Sequence, residues 1–272
     1  MTSHDAFRAL ISACLAHLIA NRRGMLESPD PEYLHQTRVA LRRLRSVFGT
    51  FKALFPAGEL APLIEETRWL ARALGPARDW DVFNDETLPP VIARYEGHAG
   101  IAAMARSAAR LRVAANRRAR RAVVSARGQG LLLALGDWLN AGAPALAASE
   151  RQRLVTDFAR EVLEAALKRV AKRGRHLGGL APRELHRLRI AAKKLRYAVE
   201  FFAPLYDDAR AGAYRAALVR LQDALGSYND AVTVKQLAVR ANRGQQGAAA
   251  DEAFGIMLSW SAGMREAGTR DL

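Results

Sequence analysis

The chain has one cysteine in 272 residues, Cys14, so neither a disulfide framework nor a thiolate metal cage can be built. Within the apolar run "ALISACLAHLIA" that thiol reads as a small buried hydrophobe. No stretch reaches the roughly 18 uncharged apolar residues of a membrane span, and the opening "MTSHDAFRAL" has no basic segment leading into an apolar one. A cytoplasmic protein without membrane contact is the resulting expectation. Alternating β-branched runs bounded by turns are missing, which excludes a sheet protein. Also missing are a glycine-rich phosphate loop, a zinc-binding HExxH pair and a nucleophile elbow, so neither catalysis nor a cofactor is expected. Aromatics are 7% of the chain, few for a protein that would stack single-stranded bases. Acidic residues are scarce too: 27 against 42 Lys+Arg leaves a net charge of +15, which points to a polyanionic partner.

Ala, Leu, Arg and Glu dominate what is present, with apolar residues at three- and four-residue spacing, and the expected class is all-α. Breakers such as "ESPDPE" at 27–32, "FPAGE" at 55–59, "LGPARD" at 74–79, "GGLAP" at 178–182, "LGSYND" at 225–230 and "NRGQQG" at 242–247 divide the chain into about ten helices. The Gly/Pro/Ala-rich segment at 140–149 is the natural seam between two helical repeats, 1–141 and 149–272, of one domain spanning 1–272.

Sliding the sequence by 151 residues brings "LHQTRVALRRLRSVFGTFKALF" onto "LHRLRIAAKKLRYAVEFFAPLY". His35 then meets His186, Arg38 meets Arg189, Arg42 meets Lys193, Arg43 meets Lys194 and Arg45 meets Arg196. The same offset pairs Leu74 with Leu225, Gly75 with Gly226 and Asp79 with Asp230, so "LGPARD" and "LGSYND" read as one helix-turn-helix written twice, the aspartates as caps. Duplication of a helical bundle, with the halves related by a pseudo-twofold axis, is the simplest assembly.

At 100° per residue, Arg38, Arg42 and Arg45 lie with His35 within an arc of about 80°, opposite Leu44, Val47, Phe48 and Phe51. His186, Arg189, Lys193 and Arg196 repeat the stripe, opposite Leu188, Leu195, Val199 and Phe202, while Arg43 and Lys194 widen it on one flank. No acid interrupts residues 36–52 or 185–199, so the usual self-neutralising i,i+4 pairs are not expected and the negative charge must come from a ligand. Glu32 and Glu184, near the helix starts, serve the helix dipole. Lys168, Lys172, Arg173 and Arg175 extend the basic surface near another helix end, together with Arg169 and His176, and Arg22 matches Arg173 at the repeat offset. Arg117, Arg118, Arg120 and Arg121 go nearly all round their helix and read equally well as solvated. Asp79, Asp81 and Asp85 could be imagined as metal ligands, but Asp81 is matched by Val232 and no metal is expected.

The paired "HQTRVALRRLRSVF" and "HRLRIAAKKLRYAVEFF", with "LQDALGSYND" and its weaker partner "LARALGPARDWDV", resemble the CHAD family, the conserved-histidine α-helical domain, over essentially the whole chain. The resemblance implies two four-helix bundles related by pseudo-twofold symmetry, their basic helices facing a central channel or groove. It also implies binding of inorganic polyphosphate and association with polyphosphate granules. Lacking a strand-borne ExExK motif, the chain resembles the stand-alone form of the family. The first copy departs from the pattern at Trp80 and "ETLPPV", which brings into question an equal contribution of the halves. Polyphosphate suits the stripes because it offers repeated charge and no bases: arginine forks, lysine point charges and titrating histidines meet it without a stacking platform. Two other partners remain compatible with the residues: nucleic acid, in a ribosome-associated binder, and a phosphate-chain enzyme to which this protein would be an accessory subunit.

Overall fold

The computed structural model describes residues 1–141, 150, 152–176, 180–206 and 208–270, and among them all regular structure is helical. Helices α1 (Ser3–Glu27), α2 (Pro31–Phe51) and α3 (Ala61–Val82) are followed by a π-helical turn at Phe83–Thr87, the short α4 (Leu88–Arg94), α5 (Ala99–Val124) and α6 (Ala126–Asn140). The chain then forms α7 (Val155–Arg173), α8 (Pro182–Phe202), α9 (Asp208–Asn242) and α10 (Ala248–Arg270). Of the seam expected at 140–149, residues 142–149 lie outside the described residues, as do 177–179 next to "GGLAP".

Caps place the basic helices. Asp30 is the N-cap of α2, its Oδ1 accepting from the Glu32 N–H at 2.8 Å, with Pro31 at the first helical position. Pro182 opens α8 in the same way, and Glu184 reaches back to accept from the Ala181 N–H at 2.8 Å. Both helices bury the face expected of them. Leu44, Val47, Phe48 and Phe51 are closed to solvent, as are Leu188, Leu195, Val199 and Phe202.

Sequential neighbours pack together, α1 on α2, α2 on α3 and α3 on α5 in the first half, α7 on α8, α8 on α9 and α9 on α10 in the second. The offset of 151 carries the bounds of α2 onto those of α8, and the 3₁₀ turn Lys52–Leu54 onto Ala203–Leu205. The halves meet through α2 on α8, α1 on α7 and α10 on α5. Phe51 and Phe202, equivalent under the offset, touch with ring centroids 5.7 Å apart, and Phe158 packs on both at 5.0 and 6.1 Å. The shared core therefore begins at the ends of the two basic helices. At the chain start, the Ser3 N–H donates to the Arg153 carbonyl at 2.8 Å and the Val155 N–H to the Met1 carbonyl at 3.3 Å, an antiparallel pairing of the approaches to α1 and α7. Gly100 lets α10 lie directly against α5, since a Cβ there would run into the Ala249 carbonyl.

One local expectation is overturned. "LGPARD" and "LGSYND" are not turns: the first lies inside α3 and the second inside α9, so Asp79 and Asp230 are mid-helix residues and not caps. Pro76 sits within α3, where it deprives the Arg72 carbonyl of its usual donor. One residue earlier, Arg38 Nη1 of the neighbouring basic helix donates to the Ala71 carbonyl at 3.2 Å. The same Nη1 stands 3.5 Å from where a Cβ on Gly75 would be, an ordinary contact distance, so the guanidinium packs beside the "LG" of the first copy.

Candidate polyanion-binding site

The two cationic stripes converge. Lys193 on α8 is largely buried and its ammonium is pushed down to about 8, first by loss of solvation and then by the charges of Arg42, Arg189, Arg45 and Arg196, drawn from both basic helices. Four cations around a fifth is an arrangement that folding alone disfavours. The guanidinium Nε atoms of Arg42 and of Arg22 on α1 are buried with no hydrogen-bond acceptor among the described residues. Such groups are donors held ready for oxygen.

Helix α3 adds charge that the sequence reading passed over. Burial lowers the Arg45 guanidinium from its ordinary value, and Arg68 and Arg72 lower it further, which brings two more arginines to the first-half stripe. Arg78 does the same to His35: burial is the larger influence and Arg78 the next in holding that imidazole below its usual value, against the opposing pull of Glu32. Arg38 is lowered by burial and supported by Asp79. Asp79 is itself raised by burial, is countered by Arg38, Arg240 and Arg78, and feels Asp230 of α9. At this end the site thus alternates cations and carboxylates. The i,i+4 spacing of Arg68 and Arg72 was a usable signal; placing a turn at "LGPARD" severed it from Arg78.

The second stripe is less bare than its sequence suggests. Glu200, just beyond the acid-free run, stands 3.3 Å from Arg196 Nε, an i,i+4 neighbour that the composition of 185–199 did not include. Its other oxygen is 3.8 Å from Arg43 Nη1, and the Arg43 guanidinium also lies 6.0 Å from the Phe201 ring and beside Cys14. Arg43 therefore reaches from α2 to α8 across the seam, on the flank of the stripe. Cys14 is buried as expected and its thiol is raised to about 11 by burial. Lys194 and His186 are exposed, and Arg189 is half-buried on the stripe.

Lys168, Lys172 and Arg173 line a separate cleft of about 660 Å³ with Arg169, His176 and Arg187, where the start of α8 faces the end of α7. Arg173 is fixed there by donating to the Arg187 carbonyl at 2.8 Å, and Lys168 has Glu164 at 3.9 Å. α7 stops at Arg173, so the two expected helical rows end there, and Arg175 is exposed beyond the helix, outside the residues that line this cleft. Asp81 and Asp85 are both engaged by Arg112, and among the described residues no three His, Cys, Asp or Glu side chains are grouped to hold a metal ion. Nor is any helix among them long and apolar enough to cross a membrane.

A family model for the CHAD domain matches residues 9–239. The chain belongs to the CHAD family. The crystal structure of the CHAD domain from the plant Ricinus communis is similar to it at 33% identity and a TM-score of 0.84, covering 100% of this chain and 93% of that one. PptA from Streptomyces chartreusis shares the fold, with a TM-score of 0.76 at 19% identity over 100% of this chain and 98% of that one. No curated protein matches this CHAD chain in sequence.

Proposed function

We propose that this CHAD protein binds inorganic polyphosphate, without chemistry of its own, through the convergent stripes of α2 and α8, and that it does so in the cytoplasm on polyphosphate granules. The observation that carries the reading is the cluster around Lys193, where Arg42 and Arg45 of one helix and Arg189 and Arg196 of the other crowd a single ammonium. A linear polyanion relieves that crowding along its whole length, and a compact monoanion does so at one point only. Arg38, His35, Arg68, Arg72 and Arg78 continue the positive surface along α2 and α3, and the cleft of Lys172, Arg173 and Arg187 offers a further anchoring place. The two halves, 1–141 and 149–272, act together as one domain.

The test is a titration of purified protein with long-chain polyphosphate, duplex DNA and RNA at equal charge concentration and equal salt. Polyphosphate is expected to bind at least tenfold more tightly than either nucleic acid, with an affinity that falls log-linearly with salt as counterions are released. Equal or tighter binding of nucleic acid would overturn the reading in favour of a nucleic-acid or ribosome-associated protein.

A further inference from the structure

The cleft between the end of α7 and the start of α8 has an internal control in the other half of the chain. The offset of 151 carries its Lys168, Arg169, Lys172 and Arg187 onto His17, Leu18, Asn21 and Gln36, so none of these four has a lysine or arginine as its counterpart. In the first half the same place is closed. His17 Nε2 and Gln36 Oε1 are 3.1 Å apart, and Tyr33, the equivalent of Glu184, lies on Gly24, where a Cβ would run into its ring. The helical hairpin therefore stands without these cations, and folding does not call for them.

Five cations line the cleft's roughly 660 Å³ against one carboxylate, Glu184, which already accepts from the Ala181 N–H at 2.8 Å. Its only apolar lining residue is Leu180, and no Phe, Tyr or Trp joins it, so phosphate is matched and a stacked base is not. The cleft also opens away from the stripes. At 100° per residue, Arg187 lies about 120–180° round α8 from Lys193, Arg189 and Arg196, so a single helix presents cations on two sides. Lys168, Lys172 and Arg187 are exposed and their charges are screened, so a short chain in dilute solution fills the stripes alone. A protein already held on polyphosphate meets further segments at high local concentration, which makes a weak second site effective.

We infer, resting on the polyphosphate reading of the stripes, that the α7–α8 cleft holds a second polyphosphate segment and makes the protein a cross-bridge between chains. Its part on a granule is then to bind chains to one another.

The experiment loads the protein on immobilised long-chain polyphosphate, washes it, and adds fluorescent polyphosphate of the same length. Wild type is expected to capture the second chain, and Lys172→Glu/Arg187→Glu to capture at least fivefold less per loaded protein. Both side chains are exposed, and the bond from Arg173 to the Arg187 carbonyl is untouched, so folding is not at stake. Arg110→Glu/Arg118→Glu, at two exposed positions of α5 outside both sites, changes the net charge equally and should capture as wild type does. The inference is overturned if wild type captures no second chain, if the cleft variant captures as much per loaded protein, as bridging through a dimer would, or if the α5 variant loses as much. Failure of wild type to load on the immobilised chain would strike the reading of the stripes itself, and this inference with it.

Discussion

The two basic helices share a register but not an environment. On α2, Arg45 has Gly49 four residues on and faces Arg68 and Arg72 of α3; on α8, the equivalent Arg196 has Glu200 four residues on. The offset that turns Gly49 into Glu200 also turns Arg68, Arg72 and Arg78 into Val219, Asp223 and Asn229. Its histidine follows suit: His35 is half-buried beside Arg78, and His186 is exposed. The repeated helix therefore supplies a scaffold of equal halves, and neighbouring helices decide how much field each half carries. The positive potential is concentrated on α2 and α3, with Lys193 leaning into it from the other side.

The sharpest way to break this asymmetry is to reverse its charged centre. Arg42→Glu/Arg45→Glu is expected to weaken polyphosphate binding at least a hundredfold, at roughly 1.5–3 kcal/mol for each lost bond to a charged group. Lys193→Glu/Arg196→Glu should weaken it less, because Glu200 already offsets part of the Arg196 charge. Circular dichroism should show unchanged helicity for both, and equal losses would mean that the halves are electrostatically alike. Arg68→Ala/Arg72→Ala, outside the repeated helix, is expected to cost about tenfold in the same titration, each side chain contributing less than a direct contact. No loss would place α3 outside the site.

Lys193 makes the comparison dependent on pH. Its folded value near 8 lies below that of a free lysine, so the charged form is disfavoured in the free protein and favoured once a polyanion arrives. Affinity should then be greatest below about pH 8 and decline as pH rises to 9.5, by up to about tenfold per unit. Lys193→Met should flatten that profile. With the folded value depressed, the unfolded state binds more protons below the ordinary lysine value, so this residue destabilises the free fold at neutral pH. Lys193→Met should accordingly raise stability at pH 7 by roughly 2 kcal/mol, an advantage that disappears above about pH 10.5. A pH response confined to the range below 6.5 would assign the titration to the histidines, of which His35 is already held low. The smallest expected effect is from Glu200→Gln, which makes the second half resemble the first: a tightening of about threefold, in proportion to one partly screened charge. Weaker binding would mean that the tie from Arg43 to Glu200 holds the site in shape and matters more than its charge.

The helices, the buried faces of α2 and α8 and the pairing of their stripes were legible in the sequence because a period of 3.6 and a shift of 151 leave direct marks on it. What was lost depended on contacts across helices. Gly75 and Pro76 carry the local signature of a turn, yet α3 runs through them, with the guanidinium of Arg38 on the neighbouring helix donating to the Ala71 carbonyl. Once that turn was assumed, Arg68, Arg72 and Arg78 fell into separate pieces. Arg43 belongs to the same basic run as Arg42, and its approach to Glu200 of another helix leaves no mark within that run.

The central claim is that α2 and α8 make one site and not two. Calorimetric titration with a short polyphosphate chain measures this directly, through the stoichiometry in wild type, Arg42→Glu/Arg45→Glu and Lys193→Glu/Arg196→Glu. One site per protein chain, weakened by either pair of substitutions, is the predicted result. Two sites per chain, one abolished by each pair while the other keeps its full affinity, would contradict it.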